Sequence, residues 1–301
     1  MAYSNGSNGD SREMNGRNEE QANGSSQTDA RTIFGGIFSR PSPAPQHPVL
    51  RTPLNAEEYS MTRLRRGKCV IFNYKRFDRH TGLCERDGTD MDASSLINCF
   101  EDLGFEPVLH SDLSLRDTEK KLKELGKADY SDDDCFICCF LTHGGDNVLY
   151  AKDGKIPADS IMEPFRGDVC PSLVGKPKLF FIQACRGDRY DPGADAIVET
   201  SDSPTRLCRI PTHADFLTAY SSVPGFYSWR HQLHGSWFIQ GLCSVLREQA
   251  QFSDLLSMLT VVCRRVAINC ESYVPDDPSK HRKKQVPFIT SSLTRQVSFR
   301  R

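Results

Sequence analysis

The sequence predicts an α/β fold in which about six mostly parallel strands form a central sheet with helices on both faces. Two observations carry this. From residue 60 onward, short apolar runs alternate with stretches whose apolar residues recur at helical spacing. Several runs, such as Cys135-Phe136-Ile137-Cys138-Cys139-Phe140, are continuously apolar, as strands covered on both faces are.

In chain order, strands are expected at Lys68 to Asn73, Phe105 to His110, Cys135 to Leu141, Lys178 to Gln183, Phe216 to Ser221 and Val286 to Thr290. Between the first two, Leu96, Ile97, Phe100 and Leu103 mark a helix that Gly104 ends as a C′ residue. Ser114 with Asp117 resembles a capping box opening a helix from Leu115 to Leu125, closed by Gly126. Trp237, Phe238, Leu242, Val245 and Leu246 mark a third helix, and Leu255, Leu259, Val262 and Val266 a fourth. No internal repeat is visible.

Two stretches break this rhythm. Residues 1–53 open with Asn, Gly, Ser, Glu and Gln and continue through Pro41-Ser42-Pro43-Ala44-Pro45, which predicts a disordered arm and linker ahead of one domain at 54–301. From Arg186 to about Arg209 the chain shows no sustained period. A structureless loop that long inside a compact domain is often functional.

Composition narrows the class. Lys and Arg total 38 against 39 Asp and Glu, so neither nucleic acid nor an acidic membrane is expected as the main partner. The basic runs Arg63-Leu64-Arg65-Arg66 and His281-Arg282-Lys283-Lys284 are expected to be solvated surface or loop and not binding patches. The 12 cysteines sit largely inside apolar runs and are expected to be reduced, small hydrophobes. The N-terminus lacks an apolar h-region and no run of 18 apolar residues occurs, so a cytoplasmic location is expected and the sequons at Asn5 and Asn23 carry little weight.

The chemistry centres on Gln183-Ala184-Cys185-Arg186-Gly187, at the end of a buried strand, and on Thr142-His143-Gly144-Gly145, at the end of another. A cysteine attacks as thiolate and needs access and a nearby base. Cys185 at a strand end has the access, and His143 is the candidate general acid and base. The glycines after His143 let backbone N–H groups approach an oxyanion, so the N–H groups of Gly144 and Cys185 form a candidate oxyanion hole. No carboxylate stands in sequence where it must orient His143, which leaves a backbone carbonyl for that task.

The pentapeptide is one that general sequence rules already associate with caspases, and the chain resembles that family across residues 55–301. Matching motifs are Arg86-Asp87-Gly88-Thr89-Asp90, Leu141-Thr142-His143-Gly144, Gly175 through Gly187, Ala214-Asp215-Phe216-Leu217, Tyr227-Ser228-Trp229-Arg230 and Gly235-Ser236-Trp237-Phe238. The pattern is most similar to the short-prodomain executioner group of insects. The resemblance implies an aspartate-specific cysteine endopeptidase of peptidase family C14 (clan CD), acting in apoptosis and needing no cofactor and no metal. It assigns Arg86, Gln183 and Arg230 to the pocket for the substrate aspartate. Two guanidiniums suit a desolvated carboxylate because each offers a bidentate fork. It assigns Ser228 and Arg230 to main-chain pairing with substrate, and Tyr227, Trp229 and Trp237 to the outer subsites. His231, where vertebrate executioners carry Asn, and Tyr273, with Lys280 near a second expected aromatic, complete the substrate-binding set and depart from the vertebrate pattern.

The family is made as zymogens cut after Asp, which implies activation in the 186–209 loop. Asp202, in Glu199-Thr200-Ser201-Asp202, is the first candidate and Asp195 the second; Asp29 before Ala30 is a candidate prodomain release site. The implied products are a large segment of about 30–202 and a small one of about 203–301, paired and then dimerised. Implied partners are proteins bearing Asp at the cut, a second copy of the chain, an upstream initiator caspase, inhibitor-of-apoptosis proteins and pseudosubstrate inhibitors of the baculovirus p35 type. Two alternatives stand beside this reading: an inactive caspase-like scaffold, and a metacaspase-type protease cutting after Arg or Lys. The scaffold is expected to lack a site residue, and the metacaspase type needs an acidic pocket.

Overall fold

The computed structural model describes residues 52–53, 55–191 and 211–300. Candidate cleavage residues Asp29, Asp195 and Asp202 lie outside these. Thr52 and Pro53, at the end of the expected linker, already bond into the folded body, Thr52 Oγ1 accepting from Ser60 N and Pro53 O from Arg295.

Along the chain the elements are β1 (Lys68–Asn73), α1 (Thr89–Asp102), β2 (Glu106–Ser111), α2 (Leu115–Gly126), β3 (Phe136–Leu141), then a small meander of β4 (Gly144–Gly145), β5 (Val148–Tyr150) and β6 (Lys155–Pro157). There follow β7 (Lys178–Gln183), β8 (Phe216–Tyr220), the short pair β9 (Arg230–His231) and β10 (Gly235–Ser236), α3 (Trp237–Gln249), α4 (Leu255–Asn269) and β11 (Phe288–Ser291). Six strands form the main sheet in the order β11-β8-β7-β3-β1-β2. All neighbours are parallel except β11, which runs antiparallel to β8.

Alternation along each strand divides the core into two layers. On β1, Cys69 and Ile71 face a layer with residues of α1, α3 and α4, whereas Val70 and Phe72 face one with Leu122 of α2, Ile161 and Phe165. The central strands β3 and β7 are buried at every position, which is why β3 is apolar throughout and β7 is apolar from Leu179 to Ile182. The expected two-sided helix cover is present.

Most expected boundaries shift by one or two residues. The last strand begins at Phe288, not Val286, and the residue between them, Pro287, has no N–H to give a ladder. Leu103 caps α1 and Gly104 follows in the left-handed region at φ 85°. The Ser114 hydroxyl accepts from Asp117 N at 3.0 Å, the first half of a capping box, while the Asp117 carboxylate accepts from that hydroxyl at 2.7 Å. Gly126 does not close α2 from outside; it is the helix's last residue, and a Cβ there would stand 2.5 Å from the Pro164 carbonyl oxygen.

The run from Arg63 to Arg66 is a loop, as expected, and it is anchored: Arg65 Nε meets the buried Asp133 carboxylate at 2.6 Å and Arg63 N donates to Asp134 at 2.8 Å. Of the stretch expected to be a structureless loop, residues 186–191 are described, and they hold isolated bridges and no strand. They are tied to 225–227 and to Lys284 by backbone hydrogen bonds, a pairing too short to leave a period in the sequence. No described helix is long and apolar enough to cross a membrane.

Candidate active site

The sheet register brings the two reactive groups together. Leu141 of β3 pairs with Gln183 of β7 in parallel, so His143 and Cys185 leave adjacent strand ends at the same height, each two residues on. The ends are fastened: Thr142 N donates to Gln183 O at 3.0 Å, and the buried Ser221 hydroxyl brackets Ala184, accepting from its N at 3.2 Å and donating to its O at 2.9 Å. Gly144 must be glycine for a different reason than expected. A Cβ there would lie 2.4 Å from Cys185 O and 2.9 Å from the Ala184 side chain, so its absence lets the backbone of residue 144 pack against that of residue 185.

His143 Nε2 lies 2.9 Å from the carbonyl oxygen of Cys84. A carbonyl only accepts, so Nε2 carries the hydrogen and Nδ1 is the free base. The expected carbonyl orienter is thus Cys84 O, and the Phe77 ring supports the imidazole at 4.9 Å. Burial depresses the imidazole to about 4; the Cys84 carbonyl opposes this, and the cations Arg86 and Arg230 add to it. Burial pushes the Cys185 thiol up, while the Ser228 carbonyl at 3.9 Å, Arg86 and Arg230 pull it back. Both groups therefore rest neutral near pH 7, and the proton must move as the sulfur attacks.

Beside them stands a carboxylate-shaped demand. Arg86 is 1% exposed; its Nη1 donates to Tyr74 O at 3.0 Å and to Thr89 Oγ1 at 2.7 Å, while Nε and Nη2 are buried without a partner among the described residues. Arg230 Nε donates to Asp87 O at 2.7 Å, and Gln183 Nε2 to Ser228 Oγ at 2.7 Å. Burial and repulsion from Arg230 lower Arg86 toward its neutral form, and the buried Asp92 opposes them. Leaving a charged donor buried and unpaired costs about 1–3 kcal/mol or more, which an entering carboxylate relieves.

The aromatic residues Tyr227, Trp229 and Trp237 lie in one row next to this pocket. His231 stacks on His234 at 4.6 Å and is exposed. Tyr273 is not brought to the row: it is 83% exposed and its ring contact is with His281.

Three functional positions escape the sequence. Cys84 is an exposed thiol, unlike the buried cysteines of the strands, and no motif points to its carbonyl. Asp92 holds α1 to the start of α3, accepting from Ser236 N at 2.8 Å and Gln240 Nε2 at 3.2 Å. Gln285, hidden by its place after a basic run, is 2% exposed and uses both ends of its amide, accepting from Trp229 N at 2.6 Å and donating to Ser221 O at 2.7 Å. The adjoining run itself is engaged, with Arg282 on Glu271 at 3.4 Å and Lys284 N on Asp191 O at 3.0 Å.

A family model described as the caspase domain of peptidase C14 matches residues 66–298. The chain is 45% identical over 262 residues to "Caspase-1" of Spodoptera frugiperda, covering 87% of this chain and 86% of that protein. It is 42% identical over 267 residues to "Caspase drICE" of Drosophila melanogaster, covering 87% and 78%, and 44% identical over 249 residues to "Caspase-7" of Gallus gallus, covering 80% of each. The crystal structure of the Spodoptera protein matches with a TM-score of 0.78 at 44% identity, over 84% of this chain and 100% of that one.

Proposed function

This chain belongs to the caspase family, and from that premise we propose that Cys185 and His143 carry its peptide-bond cleavage and that Arg86, Arg230 and Gln183 select aspartate. The protein is an aspartate-specific cysteine endopeptidase of the executioner type, acting in apoptosis. The observation that carries the residue assignment is Arg86, whose two buried, unpartnered N–H-bearing nitrogens lie beside the thiol. An acidic pocket for Arg or Lys is incompatible with it, and an inactive scaffold has no use for it.

In the proposed reaction His143 Nδ1 accepts the thiol proton as Cys185 Sγ bonds to the scissile carbonyl carbon. The carbonyl electron pair moves to oxygen, which the N–H groups of Gly144 and Cys185 hold. The imidazolium, kept in orientation by Nε2–H on Cys84 O, then gives its proton to the leaving amine. A thioester remains; water attacks it with His143 again as base, and the thiol returns with release of the new carboxyl terminus.

A neutral His143 is the working form, so the acid limb is set by its protonation. Its value of about 4 in the free protein predicts that kcat/KM loses nothing to His143 protonation as pH falls through 6, with the loss setting in near 4. The substrate aspartate is protonated over the same range, near 3.9, and steepens the fall there. A kcat/KM midpoint near 6.5 contradicts the buried, carbonyl-bound imidazole.

Gln285 acts as a positioning residue for the substrate-pairing stretch 228–230. Gln285→Glu keeps an acceptor for Trp229 N but sets a carboxylate against Ser221 O, and KM is expected to rise roughly ten-fold or more with a smaller change in kcat. Initial-rate kinetics check this; an unchanged KM removes the role.

Processing belongs to the same reading. Cleavage after Asp202, with Asp195 as second candidate, gives the large and small segments, and two such pairs dimerise through β11, the antiparallel edge strand of the sheet. Release after Asp29 frees Ala30 as an N-terminus for inhibitor-of-apoptosis proteins; an upstream initiator caspase and pseudosubstrate inhibitors of the p35 type are the other proposed partners, in the cytoplasm. Bacterial expression tests the scheme: the wild type is expected to cut itself, Cys185→Ala to remain one chain, and Asp202→Ala to mature slowly. Normal maturation and full activity of Asp202→Ala sink that site.

A further inference from the structure

Cys84 stands apart from the other thiols. Of the described cysteines it alone is exposed; Cys185, Cys263 and Cys270 are half-buried and the rest are buried. Its carbonyl orients His143, and its Sγ lies 3.9 Å from Nε2 of the same ring. The guanidiniums that border Cys185 border Cys84 as well: burial lowers Arg86 and Arg230, and negative charge on either sulfur opposes that. A second, accessible thiol therefore shares one corner of the site with the nucleophile.

We propose that Cys84 is a modification site, which takes up half of a carboxylate-bearing, low-molecular-weight disulfide as a mixed disulfide and so closes the substrate pocket reversibly. This rests on the reading of Arg86 and Arg230 as a carboxylate pocket. Exposure alone would let Cys84 meet any disulfide. What selects an anionic one is Arg86, two residues along the chain and 1% exposed, whose Nε and Nη2 have no partner among the described residues. The carboxylates nearby are engaged elsewhere. Glu85 lies 3.9 Å from Lys75 and 3.8 Å from Arg76, and Asp92 accepts from Ser236 N and Gln240 Nε2.

The step is thiol–disulfide exchange. The Cys84 thiol gives its proton to water and its sulfur bonds to one sulfur of the reagent. The reagent's S–S bond breaks, the electron pair leaves on the other sulfur, and that thiolate takes a proton from water. Cys84 is oxidised and the departing sulfur reduced, so atoms and electrons balance. His143 Nε2, the ring nitrogen beside Cys84, carries a hydrogen for the Cys84 carbonyl and is no base here. A group tethered at Sγ then sets its carboxylate among the donors that a substrate aspartate needs, and its bulk lies against His143. Cys185, half-buried and with its thiol pushed up by burial, is the less open of the two sulfurs.

The test treats active wild type and Cys84→Ser with oxidised glutathione and, separately, with cystamine, a cationic disulfide. Cleavage of an Asp reporter is read against each protein's own untreated rate, and each reagent's rate constant is divided by its rate constant with free cysteine. Oxidised glutathione is expected to inactivate the wild type roughly ten-fold or more faster than Cys84→Ser. The wild type is expected to prefer it over cystamine by a similar factor that shrinks at high salt. Peptide mass mapping is expected to place a glutathionyl group on Cys84, and dithiothreitol to restore cleavage. Equal inactivation of the two proteins, an adduct on Cys185 without one on Cys84, a Cys84 adduct that leaves cleavage intact, or no preference for the anionic disulfide overturns the inference. An untreated wild type that cuts no Asp reporter overturns the pocket reading and this inference with it.

Discussion

Replacing Cys185 with alanine is expected to lower kcat/KM by roughly four to six powers of ten while leaving the fold intact. Among the described residues the thiol's hydrogen-bond contact is a long one, 3.9 Å to Ser228 O, and burial opposes its ionisation, so little stability rests on it. His143→Ala is expected to cost a similar factor, because a neutral thiol beside no base attacks poorly. The double variant should be no worse than either single one, since the two act as a unit. The residual rate then measures the Gly144 and Cys185 N–H groups alone, each such donor being worth about 3 kcal/mol. Steady-state assays of all three variants, with thermal melts as a fold control, check this. Additive losses contradict a shared proton.

The second large effect lies in the pocket and runs in opposite directions for activity and stability. Arg86→Met removes a guanidinium that is buried, partly unpartnered and repelled by Arg230. Discrimination for Asp over a neutral residue at the cut is expected to fall by about three or more powers of ten, since a site built to bond a substrate group loses that group's partner. The folded protein is expected to be as stable as wild type or more so, by about 1–3 kcal/mol, because a desolvated charge is replaced by a side chain that fills space without one. Thr89 Oγ1 keeps its bond to Asn73 Oδ1 at 2.7 Å, so the start of α1 is still held. A destabilised variant that retains its selectivity assigns Arg86 to structure instead of substrate.

Strand and helix identities were legible because burial writes them directly. Continuous apolar runs mark β3 and β7, and apolar residues at helical spacing mark α1, α3 and α4. Cys185 and His143 were legible because each follows such a run. The register that joins them was not, since Leu141 pairing with Gln183 depends on strand order. Backbone and amide roles were the least visible. The Cys84 carbonyl offers no side-chain signature, and Gln285 sits after four polar residues that suggest solvent. Tyr273 shows the reverse, an aromatic assigned by resemblance that the fold leaves exposed.

The central claim is that Arg86 and Arg230, beside Cys185, choose aspartate. A positional tetrapeptide reporter library, read with wild type and with the Cys185→Ala control, tests it most directly. Cleavage is expected after Asp alone among the residues at the cut, with the signal absent from the control; preferred cleavage after Arg or Lys contradicts the claim.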